Sequence, residues 1–306
     1  MTWRIVEVSS SSKLELKLGY MVVRGEETHK VHLSEIAVVI LDSTAISLTA
    51  ALLCELSKRK IKVIFCDDKR LPYGELSPYF GSVDSSDKLR RQIGWEPEIK
   101  ARIWEEIVRQ KIMCQSCLLA EEGHSESAEM LRGYSCDIRD KDCTNREGFA
   151  AKVYFNSLFG PSFSRQEDCT INSRLNYGYT ILMSAFSREI AISGYDPRIG
   201  IFHDNTFNRF NLASDLMEPF RPLVDRCVLN MVGPSFDSED KIRLIRVLNE
   251  TVEIDGKRNY VINAIRTYVQ SFFDAMENND PERLKHYGKA EVHEGDGVLR
   301  PSDQNK

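Results

Sequence analysis

One histidine and three carboxylates are the residues of this 306-residue chain best suited to chemistry. His203 stands in a polar break, Phe202-His203-Asp204-Asn205-Thr206, and Asp215 and Glu218 follow in Ser214-Asp215-Leu216-Met217-Glu218-Pro219. Glu147, in Thr144-Asn145-Arg146-Glu147-Gly148, is the third carboxylate partner. One imidazole with two or three carboxylates suits a hard divalent cation such as Mg²⁺ or Mn²⁺. Each residue also has a plain structural reading. Thr144 and Glu147 fit a capping box, with Thr144 at the N-cap and Glu147 reaching back to its amide. Asp215 and Glu218 are three apart, hence neighbours on one helix face, where they serve equally well as solvated acids. A cation between them would remove their mutual repulsion.

These residues must be positioned by two different kinds of structure. Up to residue 76 the chain reads as β. Leu14, Leu16 and Leu18 alternate with charged residues, a pattern taken to continue as one strand through Tyr20 to Val23. The run Ile36 to Leu41 is apolar enough to be a central strand. One short helix, capped by Ser47, carries Leu48, Leu52, Leu53 and Leu56 and closes on Lys58-Arg59-Lys60. Residues 77–95 collect small and turn-forming residues and read as a linker. Residues 96–287 read as all-α, with helices expected at 99–119, 126–131, 146–158, 171–192, 208–231, 239–252 and 260–277. Pro219 and Pro222 predict a kink near Glu218. Residues 288–306, polar and punctuated by Gly and Pro, are expected to be a disordered tail. The fold class is therefore α+β multidomain: an N-terminal β-sheet or sandwich domain with one short helix, then an all-α domain.

The net charge of −5 does not favour nucleic-acid binding, although a local basic face can still hold phosphates within a Debye length of ~8–10 Å. No apolar run approaches the roughly 20 residues of a membrane span. The charged start, Met1-Thr2-Trp3-Arg4-Ile5-Val6-Glu7, is unlike a signal peptide, and the expected location is the cytoplasm. Cys114 and Cys117 form a CxxC, but Cys136 and Cys143 are more widely spaced than a second zinc knuckle requires, so free thiols are expected.

Three blocks carry a family resemblance: Asn172-Ser173-Arg174-Leu175-Asn176-Tyr177-Gly178-Tyr179, then His203-Asp204-Asn205, then Ser214-Asp215-Leu216-Met217-Glu218-Pro219-Phe220-Arg221-Pro222. In this order they resemble the CRISPR spacer-acquisition integrase and endonuclease, the first of the CRISPR-associated proteins. The resemblance extends to about Tyr287. It looks most like the type II version, which accompanies a single-protein RNA-guided effector nuclease. It implies an N-terminal β domain, a linker and a helical catalytic domain. It implies Glu147, His203 and Glu218 as metal ligands, with Asp215 as the adjacent catalytic acid. The implied reaction is attack of a DNA 3′-hydroxyl on a phosphodiester of the CRISPR repeat, with Mg²⁺ or Mn²⁺. The implied partners are protospacer and repeat duplex DNA, a second copy of the chain through the β domain, and a dimer of the second CRISPR-associated protein, giving a heterohexamer. Other acquisition factors and the effector nuclease are further expected partners, and no membrane is. Captured fragments vary in sequence, so DNA must be held by its backbone. The candidate contacts are Arg146, Lys152, Arg165, Arg174, Asn205, Lys58 and Arg59, each with a solvated-charge or turn reading beside it. The competing functions are a non-catalytic DNA-binding scaffold of the same acquisition complex and a helical adaptor whose acids are surface charge.

Overall fold

A computed structural model describes residues 4–68, 70–76, 84–139 and 141–289. The N-terminal part holds two four-stranded sheets. In one, β1 (Arg4–Val8), β5 (Ile36–Leu41) and β7 (Lys62–Cys66) run parallel, and β8 (Pro72–Leu76) closes the edge antiparallel to β7. In the other, β2 (Ser12–Lys17), β3 (Tyr20–Arg24) and β4 (Thr28–His32) form an antiparallel meander, and β6 (Ile46–Leu48) adds parallel to β2. The single long strand expected from the leucine alternation is instead a hairpin. Leu18 and Gly19 both take positive φ (51° and 81°), which reverses the chain and leaves Leu18 exposed. Helix α1 (Ala50–Lys58) is capped by the Thr49 hydroxyl, not by Ser47, which lies in β6.

Leu14, Met21 and Leu33 meet Val39, Leu41 and Val63 across the two sheets, and Leu52 and Leu56 of α1 complete this core. The opposite face of the parallel sheet, through Ala37, Val38, Ile40, Ile64 and Cys66, joins the large helical core. That explains why every residue of β5 is buried: it is covered on both faces. Polar contacts tie the same junction. Arg188 donates to the Lys60 carbonyl, and buried Lys241 donates to that of Arg70.

The segment read as a linker carries helix α2 (Ser85–Ile93), while residues 77–83 lie outside the described residues. This is a correction with a physical cause. Gln92 is fully buried and bonds to the backbone of Asp196 and Ile199, so tertiary contacts hold a helix that composition hides.

Helices α3 (Pro97–Glu121), α4 (Ser125–Cys136), α5 (Arg146–Phe159) and α6 (Thr170–Ile192) follow. Next comes α7 (Asn211–Met217), a 3₁₀ turn at Glu218–Phe220 and α8 (Arg221–Leu229), so the expected kink is a change of helix type at Pro219. Helix α9 (Ser238–Arg246) ends in a further 3₁₀ turn.

The second part is not all-α. Strand β9 (Thr251–Ile254) pairs with β10 (Lys257–Tyr260) and, beyond α10 (Val261–Glu277), with β11 (Tyr287–Lys289). Val252 and Ile254 point their alternate apolar side chains into the helical core, a period-two signal too short to stand out beside a helix. The expected tail therefore begins inside a strand, and its residues 290–306 lie outside the described residues. Among the described residues no helix is long and apolar enough to cross a membrane, and the eight cysteines are free thiols.

Candidate functional site

The site is assembled from α3, the start of α5, the 194–210 loop and the α7–α8 junction. Its best-defined feature is the Asp215 carboxylate, which has no solvent exposure. Oδ2 accepts from the amides of Ile201 (2.7 Å) and Phe202 (3.2 Å). Oδ1 accepts from the His203 amide (3.0 Å) and lies 2.6 Å from His203 Nδ1. A carboxylate can only accept, so Nδ1 carries the hydrogen and Nε2 is left as the ring's ligating atom. Gly200 makes this cradle sterically feasible: a Cβ there would overlap the His203 carbonyl and stand 2.7 Å from Asp215 Oδ2. Phe202 stacks on Trp104 of α3 with centroids 4.1 Å apart, and the His203 ring meets the indole edge-on.

The hydrogen bond to Asp215 raises the His203 pKa above its ordinary value. Burial opposes the shift, and the charges of Asp215, Glu218 and Glu147 add to it.

Glu147 is positioned differently from expectation. Asp142 caps α5, accepting from the amides of Arg146 (2.7 Å) and Glu147 (2.8 Å). The expected Thr144 capping box does not form, because Asn145 enters the helix in the left-handed region. The Glu147 side chain is thereby free to project from the first turn. Gly148 leaves room for the Asn145 side chain, whose Oδ1 would stand 2.5 Å from a Cβ.

Between Glu147 and Glu218 stands Lys111 of α3, which the sequence reading did not single out. Its Nζ is 2.5 Å from Glu147 Oε1 and 2.5 Å from Glu218 Oε2. The second contact pairs the ammonium with the buried Oε2, although its alignment is poor for a hydrogen bond. Arg221 holds the other oxygen, Glu218 Oε1, at 2.7 Å. Burial pushes the Glu218 carboxyl up, but Arg221 and Lys111 outweigh it and hold the acid below its usual range. Burial likewise lowers Lys111, and Glu218 and Glu147 outweigh it to raise the ammonium.

Glu147 and Glu218 thus meet on Lys111, and both of their charges act on the His203 ring. Among the described residues, however, no group of three or more His, Cys, Asp and Glu side chains stands in metal-binding geometry. Asp215, predicted as a catalytic acid, is spent on orienting His203. The chemistry of the donor set still suits a hard divalent ion: an imidazole whose Nδ1 is tied to Asp215, leaving Nε2 as the ligating atom, and two carboxylates that already share a cation, Lys111.

The Asn172–Tyr179 block is scaffold. Arg174 is buried and bonds to Asp240 (2.7 Å) and to the carbonyls of Gly233 and Ser235. The expectation that Arg174 contacts DNA is corrected: its donors are used internally. Arg165 donates to Asn172 and Asn176 and lies over the Phe155 and Tyr179 rings. Gly178 admits Val224, and the Tyr179 hydroxyl donates to Asp225, as does that of Tyr154. Arg221 stacks on Tyr179 at 4.7 Å, which links this block to Glu218.

Arg146 pairs with Asp137 and covers Tyr134. The Asn205 side chain accepts from the Phe207 amide, closing its own turn. Lys152, Lys58 and Arg59 are exposed, Arg59 being paired with Glu55 on its own helix. Tyr287, the last residue of the recognised resemblance, donates its hydroxyl to the Pro219 carbonyl and steadies the turn that carries Glu218.

Residues 6–240 match the protein family described as CRISPR associated protein Cas1. The chain is 33% identical over 291 residues to the CRISPR-associated endonuclease Cas1 of Neisseria meningitidis serogroup C, covering 93% of this chain and 96% of that protein. Its fold is similar to that of a casposase solved bound to an integration product, with a TM-score of 0.74 and 17% identity over 92% of each chain. It is also similar to a chain of a Cas6-RT-Cas1–Cas2 complex, with a TM-score of 0.71 and 19% identity over 94% of this chain and 36% of that one.

Proposed function

The chain belongs to the Cas1 family of CRISPR-associated proteins, and from that premise we propose that it is a metal-dependent DNA integrase and endonuclease inserting protospacer DNA into a CRISPR array. The reaction is a transesterification. The 3′-hydroxyl of the incoming DNA forms a new P–O ester, the existing ester breaks, and the proton lost by the attacking oxygen is balanced by one gained on the departing 3′-oxygen. One ester replaces another, so no nucleotide triphosphate is consumed.

Glu147, His203 and Glu218 would hold Mg²⁺ or Mn²⁺, which supplies Lewis-acid polarisation of the phosphate when bound. The observation that carries this reading is the Asp215 cradle. Four contacts to one buried carboxylate fix the tautomer and orientation of a histidine on which the charges of Glu218 and Glu147 act, an arrangement that a surface turn does not require. Against burial, Arg221 and Lys111 hold the Glu218 carboxyl below its usual range; Arg221 fixes one oxygen, and the other, against Lys111, is the one that would take the cation. Trp104 and Phe202 wall the histidine and limit its rotation. Asp142 anchors the turn from which Glu147 projects.

The DNA is held largely through phosphates, with exposed Lys152, Lys58 and Arg59 as candidate contacts. A second copy of this chain, joined through the β sheets, and a dimer of a Cas2-type protein complete the proposed complex. A Cas1–Cas2 assembly with a similar fold supports that partner. The proposed location is the cytoplasm, and type II is the proposed subtype.

The test is joining of a fluorescent protospacer to repeat DNA by the purified protein and its partner. Joining is expected with Mn²⁺ and Mg²⁺, to cease with EDTA, and to fail in His203→Ala. Joining undiminished by EDTA or by His203→Ala would refute the metal mechanism.

A further inference from the structure

The buried carboxylate of Glu218 and the half-buried one of Glu147 cannot stand close together without a counter-charge. Here that charge is Lys111, whose ammonium bridges Glu147 Oε1 and Glu218 Oε2 at 2.5 Å each. These are oxygens that the proposed divalent ion would take, and an ammonium and a metal ion cannot share one position. We propose that Lys111 is a resident cation that competes with the divalent ion for Glu147 and Glu218, and that DNA phosphate, by accepting the displaced ammonium, couples metal loading to substrate binding. The inference rests on the metal-site reading above.

The charge count gives the reason for coupling. With the imidazole neutral in its ligating form, the carboxylates of Glu147, Glu218 and Asp215 face the cations of Lys111 and Arg221, a net charge of about −1. A divalent ion added while Lys111 stays in place reverses that to about +1 beside the buried Glu218, which is costly where solvent screening is weak. A phosphodiester anion brought into the same site offsets it. Lysine suits such a role better than arginine. Its charge is compact and its four-carbon stem swings freely, so the ammonium can leave the carboxylates while its backbone stays fixed in α3. Arg221 cannot substitute, because its guanidinium is engaged with Glu218 Oε1 and the Tyr179 ring.

The test is Mn²⁺ binding followed by electron paramagnetic resonance. Full-length wild type, Lys111→Met and Lys111→Arg are compared, each alone and with a duplex whose dideoxy 3′ ends cannot react. Wild type should bind Mn²⁺ more tightly with DNA than without. Lys111→Met should bind DNA-free at least about fivefold more tightly than wild type, and DNA should add less further tightening. Lys111→Arg, which keeps the charge, should retain the weak DNA-free affinity. Equal or weaker DNA-free binding by Lys111→Met would leave the metal site standing and overturn the role of Lys111. If no variant binds Mn²⁺, the metal site itself falls and this inference with it. If Lys111→Met folds poorly without metal, melting temperature reads the same competition: Mn²⁺ should raise it more in the variant than in wild type, and an equal or smaller rise would overturn the inference.

Discussion

Replacing Asp215 by Asn keeps the shape of the side chain and removes its charge and one pair of acceptor sites. In the native cradle Oδ2 serves the Ile201 and Phe202 amides, and Oδ1 serves the His203 amide and Nδ1. An asparagine oxygen can satisfy one pair only. The Ile201 and Phe202 amides cannot become acceptors, so the carbonyl should turn to them and the NH₂ to His203. The His203 amide then loses its partner, and the ring can be satisfied only by turning Nδ1 into an acceptor, which moves the hydrogen to Nε2. Hydrogen bonds to a charged group contribute roughly 1.5–3 kcal/mol each. The outright loss of the His203 amide bond therefore predicts a destabilisation of at least about 1.5–3 kcal/mol. With Nε2 protonated the imidazole loses its ligating lone pair, and joining should fall by about 10²- to 10⁴-fold in the protein that remains folded. Thermal melts give the first quantity, strand-joining rates the second, and ¹⁵N shifts of the imidazole report the tautomer. Asp215→Asn that is folded, shows the flipped tautomer and still joins DNA within a few-fold of wild type would refute the link between the cradle and the chemistry.

Three other perturbations test separate parts of the structure. Gly200→Ala should cost about 1–3 kcal/mol in denaturant unfolding and depress joining, because the added methyl overlaps the His203 carbonyl. Arg174→Met strands buried Asp240 and should cost about 3–5 kcal/mol, yet leave the salt dependence of DNA binding unchanged in the folded protein, whereas Lys152→Ala should flatten that dependence. Burial raises the Asp225 acid from its ordinary 3.8 to about 6, so the folded state binds its proton more tightly than the unfolded state. The stability this contributes is complete below about 3.8 and is lost as pH rises towards 6. Relative to Asp225→Asn, wild type should therefore lose on the order of 3 kcal/mol across that window, measured by urea unfolding at stepped pH. A constant difference between the two proteins would contradict it.

The long helices at 97–121 and 170–192 were legible because their apolar residues recur at the helical period over many turns. The short antiparallel sheet was not. Strand β9 has four residues and follows a helix and a 3₁₀ turn without Gly or Pro between them, so the helical pattern appeared to run on to residue 252. Helix α2 was missed for the converse reason, since few of its residues are apolar and its anchor is Gln92, a polar side chain buried by distant backbone. Asp142 lost to Thr144 as the expected cap because a pattern match cannot register the positive φ of Lys141, Asp142 and Asn145, which redirects the chain before α5.

By itself the amino-acid sequence determined which chemistry was on offer: an imidazole and three carboxylates in ordered blocks, on a chain whose β pattern gives way to helices. Periodicity and residue type are local properties, and local properties survive in one dimension. The tertiary structure alone decided what each acid does. Asp215 became the orienting partner of His203 because a glycine lets three successive amides close around it. Glu147 and Glu218 were brought together on Lys111 of α3, because that helix packs against both α5 and the turn at Pro219. Charges so far apart along the chain interact only after packing brings them together and removes the water that would screen them.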